Sequence, residues 1–449
     1  MNTRPVSRAA ALLAAVVVAA APVSGAVEPE RVPSGGVPAL EAGEQPADSA
    51  LVALVERSEA GDIAALQRAR NSVADPRVRA VVDSRLAAAR LDLRGTRAAL
   101  KRVAWRGLPA RWRAIALATR AAAAFAQGDY AAADEDCRAW LELPQGSDPV
   151  HQRSDVEQMH AIAAELAAAP RQTVERRSPG TAATTRDKAS LLRTYATIAG
   201  VRQEVVVDTG ANLSVLTVST ARALGLRIVG GSSVRSSTRG AVGVRLAVAD
   251  RLQIAGTSLR DVAFLVLEDS DLRLPLPGGY EIPAIIGFPV LKALRRVTFT
   301  AGALATGRGG GGRGEASNMV ASGSDLFVRA RINGAEVPLH LDSGASRTSL
   351  GPRFAADHPG LVAGLAKRSS RLAGAGGAVE NIVSVLVNAD VEVGGVVIRL
   401  PAMDVATAAP AGNFGTLGQD LLRSKESYTI DFERMTLVLG ATRDRSPDR

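Results

Sequence analysis

Asp208 and Asp342 each close a short apolar run and begin a tight polar loop. The first stretch is Val205-Val206-Val207-Asp208-Thr209-Gly210-Ala211, the second Leu339-His340-Leu341-Asp342-Ser343-Gly344-Ala345. An acid at the end of a buried strand is aimed by that strand, and a following glycine lets neighbouring backbone approach it closely. Two such loops set face to face would bring two carboxyl groups together. Like charges in contact cannot both ionise without cost, so the pair would keep one shared proton. A pair in that state can take a proton from water and give one to a leaving group, which is general acid and base work.

The elements that must position these acids recur with them. Gly200 and Gly334 each stand eight residues ahead of an acid and open its strand, and Gly240 and Gly374 each stand thirty-two residues behind. Further on come Ile285-Ile286-Gly287 and Thr416-Leu417-Gly418, at nearly equal distances from Asp208 and Asp342. The two half-chains read as diverged copies of one unit. Short strand patterns with glycine-rich turns mark each copy as all-β: 194–198, 203–207, 241–248 and 259–267 in the first, 326–332, 337–341, 379–387 and 396–400 in the second. Residues 428–432 and 436–439 form a closing hairpin pattern.

On these residues, about 190 to 440 of the chain resembles a two-lobed aspartic protease with lobes similar to those of retropepsins. The resemblance implies one catalytic acid per lobe, Asp208 and Asp342, with the apolar-apolar-Gly strands at Gly287 and Gly418 threading beside the acid loops. It implies that Thr209 and Ser343 brace the opposite loop, while Gly210 and Gly344 bring amides to the carboxyls. It further implies flap-like hairpins at Gly374, Gly376 and Gly377, mirrored by Gly240 and Gly243. No flap tyrosine of the pepsin kind stands in either stretch, and Ala211 and Ala345 replace the Ser or Thr of pepsin-like enzymes. With no side-chain donor there, the acids are expected to work at mildly rather than strongly acidic pH. The implied partner is a peptide or protein substrate, held extended by main-chain hydrogen bonds. No cofactor and no metal is implied.

Other chemistry finds less purchase. His340 and His358 lack metal-ligand spacing, and His340 should face away from Leu339 and Leu341 on its strand. Cys137, the one cysteine, excludes an intrachain disulfide and falls on the apolar side of a helix pattern. The glycines from Gly309 to Gly312 lack the Lys-Ser/Thr of a phosphate loop. A net charge of +9 comes from scattered arginines, with only 3% aromatic residues, so a solvated surface is read rather than a nucleic-acid partner.

Among 449 residues the remainder divides by composition. Arg4 and Arg8, an apolar run over 9–21 and Ser24-Gly25-Ala26 read as a cleaved signal peptide over 1–26, hence export to the periplasm or beyond. A flexible lead covers 27–47, and no later stretch reads as a membrane span. Residues 48–170 read as an all-α helical-hairpin region, with helix starts at Asp62, Asp75-Pro76 and Asp148-Pro149. Within it, 118–143 resembles one tetratricopeptide helix pair around Gly128-Asp129-Tyr130, though Ala121 stands at the glycine of that pattern. This region is expected to bind a protein partner or substrate, to cover the cleft, or to act as a spacer. A linker is expected over 171–190, the first lobe over 191–301, a Gly-rich connector over 302–325, the second lobe over 326–440 and a disordered tail over 441–449. The whole reads as an exported aspartic endopeptidase. The alternatives are a non-catalytic interaction scaffold, and a chain whose copies pair with those of another molecule.

Overall fold

A computed structural model describes residues 18–19, 48–101, 103, 105–234, 242–273, 279–307, 316–374, 377–406 and 413–441. Val18–Ala19 form a two-residue strand, β1, and the helical region begins at Asp48. Its helices are α1 (Asp48–Glu59), α2 (Ala64–Ala69), α3 (Pro76–Ala88), α4 (Leu93–Leu100), α5 (Ala110–Ala126), α6 (Tyr130–Leu141) and α7 (Arg153–Leu166). Asp75 caps α3 by accepting from the Arg77 amide, with Pro76 in the first turn where its missing N–H costs nothing. The other two expected starts differ. Asp62 pairs with Arg57 at 2.7 Å and leaves α2 to begin at Ala64 without a side-chain cap. Asp148 accepts from the Val150 and His151 amides and from the Trp140 indole, so it closes a turn and α7 starts only at Arg153.

The stretch read as a linker carries strands: β2 (Thr173–Arg177), β3 (Gly180–Ala183) and β4 (Thr185–Arg186). The first lobe then runs β5 (Leu192–Ile198), β6 (Val201–Val207), β7 (Ser214–Thr217), α8 (Val218–Ala223), β8 (Ile228–Val234), β9 (Val242–Ile254), β10 (Thr257–Leu267), β11 (Ala284–Ile286) and α9 (Phe288–Ala293). After β12 (Arg296–Thr300), β13 (Ala303–Thr306) and β14 (Met319–Ser322) the plan repeats. It gives β15 (Asp325–Ile332), β16 (Ala335–Leu341), β17 (Ser349–Leu350), α10 (Pro352–Asp357), α11 (Pro359–Val362), β18 (Lys367–Gly374), β19 (Gly377–Val393), β20 (Val396–Val405), β21 (Gly415–Leu417) and α12 (Gln419–Leu422). The chain closes on β22 (Ser427–Asp431) and β23 (Thr436–Leu439).

Both lobes open on the same hairpin. Ala199-Gly200 and Asn333-Gly334 all have positive φ, the two-residue turn whose twist matches its strands. In each lobe the acid-bearing strand then pairs in parallel with a distant three-residue strand, β6 with β11 and β16 with β21. That short strand is also antiparallel to the strand leaving the acid loop, β7 or β17, which itself lies parallel to β10 or β20. The acid loop is thereby clamped between two passes of chain.

Three packing relations join the parts. A five-stranded sheet, in the order β23-β22-β12-β13-β3, takes strands from both halves and from the segment before them. Phe299 stacks on Tyr428 across it, with ring centres 4.7 Å apart. Helices α5 to α7 share an apolar core with the first lobe, in which Phe125, Trp140 and Ile162 meet Val206, Ala211, Leu213 and Val215. The second lobe is tied to the earlier helices by Arg353 to Glu56 at 2.8 Å, Arg57 to Asp357 at 2.7 Å, and the Ala321 amide donating to the Ala89 carbonyl at 2.8 Å. Cys137 is buried in the α5–α7 core, and burial pushes its thiol up to about 12. Among the described residues no helix is long and apolar enough to cross a membrane.

Candidate active site

Asp208 follows β6 and Asp342 follows β16, and the parallel pairings reach both acids. The Asp208 amide donates to the Ile286 carbonyl at 3.0 Å, and the Asp342 amide to the Leu417 carbonyl at 3.1 Å. Two residues further, the incoming chain turns under the acid loop, where Phe288 N donates to Ala211 O and Gln419 N to Ala345 O, both at 2.8 Å. Gly287 and Gly418 permit this approach. A Cβ on Gly287 would lie 2.5 Å from the Ala211 carbonyl oxygen, and one on Gly418 would lie 2.5 Å from the Arg347 carbonyl.

The loops are laced to each other. Thr209 Oγ1 donates to Leu341 O at 2.8 Å and accepts from the Ser343 amide at 2.9 Å. Ser343 Oγ reciprocates, donating to Val207 O at 3.1 Å and accepting from the Thr209 amide at 2.9 Å. A hydroxyl, an amide and a carbonyl on each side of a two-fold arrangement are satisfied by the other side, which fixes the separation of the acids. Gly344 lies against the opposite carboxyl, since a Cβ there would come within 2.5 Å of Asp208 Oδ2.

Asp208 is 0% and Asp342 4% exposed, and their side chains are within hydrogen-bonding reach of each other. Burial raises the Asp208 carboxyl well above its ordinary value, and the neighbouring Asp342 raises it further. Burial also raises Asp342, opposed first by His340 and then by the Gly344 amide. The pair therefore holds a proton into a pH range where an exposed aspartate is fully ionised. Gly210 N donates to Asp208 Oδ1 at 2.9 Å, while Gly344 N and Ala345 N donate to Asp342 Oδ1 at 2.8 and 3.0 Å.

Three supports of the site escaped the sequence reading. Ser214 and Thr348 each stand six residues beyond an acid, and their hydroxyls accept from the Gly287 and Gly418 amides at 3.1 Å. The equal offset was the available signal. Gln419 donates from Nε2 to Ser343 O at 2.7 Å, and nothing in its spacing marks it. Of the expected flap glycines, Gly374 and Gly377 pair with each other as the last rung of the β18–β19 hairpin. Gly243 lies on β9 opposite Ser233, one rung from the last described pair of the β8–β9 hairpin. Gly240 and Gly376 lie outside the described residues. His340 alternates with Leu339 and Leu341 as expected, packs 5.6 Å from the Phe327 ring and faces Asp325.

A family model described as aspartyl protease matches the chain twice, over residues 194–290 and 328–421, once in each lobe. None of the curated proteins matches the sequence. Among solved structures, a retropepsin-like aspartic protease from Rickettsia conorii is 17% identical, covering 30% of this chain and 93% of its own, with a TM-score of 0.22. A protein titled edgp is 13% identical, covering 60% of this chain and 95% of its own, with a TM-score of 0.36.

Proposed function

We propose, from the match of each lobe to an aspartyl-protease family model, an exported endopeptidase that hydrolyses peptide bonds between Asp208 and Asp342. The observation that carries the reading is the pair of buried carboxyl groups in reach of each other, on loops locked by reciprocal Thr209 and Ser343 bonds. In this mechanism one ionised carboxylate accepts a proton from a water lying between the acids. The protonated partner polarises the scissile carbonyl, and the roles exchange as the tetrahedral intermediate collapses to release the amine. No covalent intermediate forms.

The substrate binds extended beneath the β8–β9 and β18–β19 hairpins, which serve as flaps in this proposal. The helical region bounds the cleft and governs which polypeptides reach it. In support, Asn212, four residues past Asp208, shares a cavity of about 50 Å³ with Ala118 and Met159 of the helices and with Asp325. The signal reading of residues 1–26 supplies the exported location, checked by N-terminal sequencing of the mature protein from a cell fraction.

The test is cleavage of a mixed peptide library by the full chain across about pH 3 to 7, with products read by mass spectrometry. The parent should cut internal bonds and Asp208→Asn should not. A parent without activity at any pH, in folded form, overturns the peptidase reading.

A further inference from the structure

We propose that His340, held by Asp325, is a positioning residue that sets a positive charge behind Asp342, keeping Asp342 the ionised acid while the shared proton rests on Asp208. The proposal rests on the peptidase reading above and adds an assignment that the duplication alone leaves symmetric.

The first ground is placement. His340 is the last residue but one of β16 and Asp342 is the first beyond its end, close enough that the ring and the carboxyl act on each other. The matching residue of the first lobe is Val206, which is fully buried in the apolar core shared with the helices. The His340 side chain is 12% exposed, and its Nε2 lies 3.5 Å from Asp325 Oδ1, an ion-pair distance rather than a close hydrogen bond. Phe327 stacks at an angle on the ring, and Gly61 of the helical region backs Phe327 so closely that a Cβ would sit 2.5 Å from it.

A second ground is the count of donors. Asp342 Oδ1 accepts two amides in good geometry and Asp208 Oδ1 one, the Gly344 amide acting on the Asp208 carboxyl as well from across the loops. Asp208 Oδ2 is buried, and among the described residues no donor bonds it in good geometry. Amides favour the ionised form of the acid they reach, and a buried oxygen with no donor favours carrying the proton.

Charges facing His340 come from few places. The loop at the end of its own strand offers Asp342, β15 offers Asp325, and Thr416 beside it on β21 brings none. Glu59, Arg85, His151 and Asp155 line the same cavity as Asp325. Of these, Glu59 pairs with Arg85 at 2.9 Å and His151 with Asp148 at 2.9 Å, while the Asp325 carboxylate faces His340. Burial works against a charged His340, and Asp325 followed by Asp342 outweighs it, raising the ring above the ordinary histidine value.

Two measurements decide the matter. The pH profile of kcat/KM is taken for the parent, for His340→Gln, and for the double variant His340→Leu/Asp325→Asn, which leaves no stranded carboxylate. Removing the cation should move the acid limb upward by about 0.5 to 1 pH unit. A purely packing role would lower the whole profile without moving it, and profiles that superimpose on the parent after scaling overturn the proposal. The second measurement needs no activity. With four histidines in the sequence, the His340 ring proton can be followed by NMR in the intact chain. It should titrate above the usual histidine range and fall by about 0.5 unit or more in Asp342→Asn. An unchanged titration overturns the proposal. Failure of the peptidase reading shows separately, as a folded parent that cuts nothing.

Discussion

Around Asp208 the supporting side chains are Val206 on the strand and Phe288 beneath the loop; at the matching places around Asp342 stand His340 and Gln419. The backbone does not share in this divergence. The parallel pairings, the amide bonds under the loops, the close approach at Gly287 and Gly418 and the hydroxyls of Ser214 and Thr348 all occur twice. A fold-back that aims a carboxyl leaves no spare space, since added atoms would meet backbone. The lining of the loop is a matter of polarity, and the two lobes were free to differ there. One lobe became apolar, and the other became a network running from Gly418 N through Thr348 to Asp420, with Thr348 Oγ1 donating to Asp420 Oδ1 at 2.6 Å.

The equality of the lobes is broken most sharply at the acids themselves. Asp208→Asn and Asp342→Asn should each cut kcat by about a thousandfold or more, since either leaves one titratable carboxyl for a two-proton task. A single variant that retained most of its activity would mean the lobes do not act as a pair. Next come the glycines. Gly287→Ala and Gly418→Ala should destabilise the protein by similar amounts, about 3 kcal/mol each by denaturant titration, because both new methyls meet backbone at 2.5 Å.

The crossed hydroxyls come third. Thr209→Val leaves the Ser343 amide and the Leu341 carbonyl without their partner, so a loss of about 2 kcal/mol is expected. Ser343→Ala should match it, and the double variant should lose less than the sum of the two. Gln419→Leu separates the lobes, since the donor to Ser343 O has no counterpart at Phe288; about 1 kcal/mol is expected.

The smallest effect concerns the junction of the second lobe with the helices, where Glu59 meets Arg85, His151 and Ser322. Burial would raise Glu59, yet Arg85 and His151 outweigh it and hold the carboxyl at about 2. A depressed acid stabilises the fold above its unfolded value near 4.5 and loses that contribution as pH falls through about 2. Melting temperature should therefore drop between these values in the parent. Glu59→Gln should start lower and show a shallower acid decline.

The acids, their loops and the threading strands were legible because each depends on a few consecutive residues and because every pattern was written twice. Residues 173–186 were not. The side chains of β2 are exposed throughout, and its strand conformation comes from the free edge of β10, which no local pattern announces. Asp148 misled for the opposite reason. It has the composition of a helix cap, but Trp140 and His151 claim its carboxylate through packing that lies outside its own segment. Gln419 was invisible because its role depends on a loop 76 residues earlier.

The shared five-stranded sheet bears on what happens if the chain is cut. Strands β22 and β23 lie beyond the second matched repeat in sequence, yet β22 is hydrogen-bonded along its whole length to β12, and β13 to β3. Arg296 reaches Asp431 at 3.2 Å across the same seam. Scission anywhere between residues 307 and 316 would thus give two polypeptides on a denaturing gel and a single particle in a sizing column. Neither half, produced on its own, would carry a finished edge.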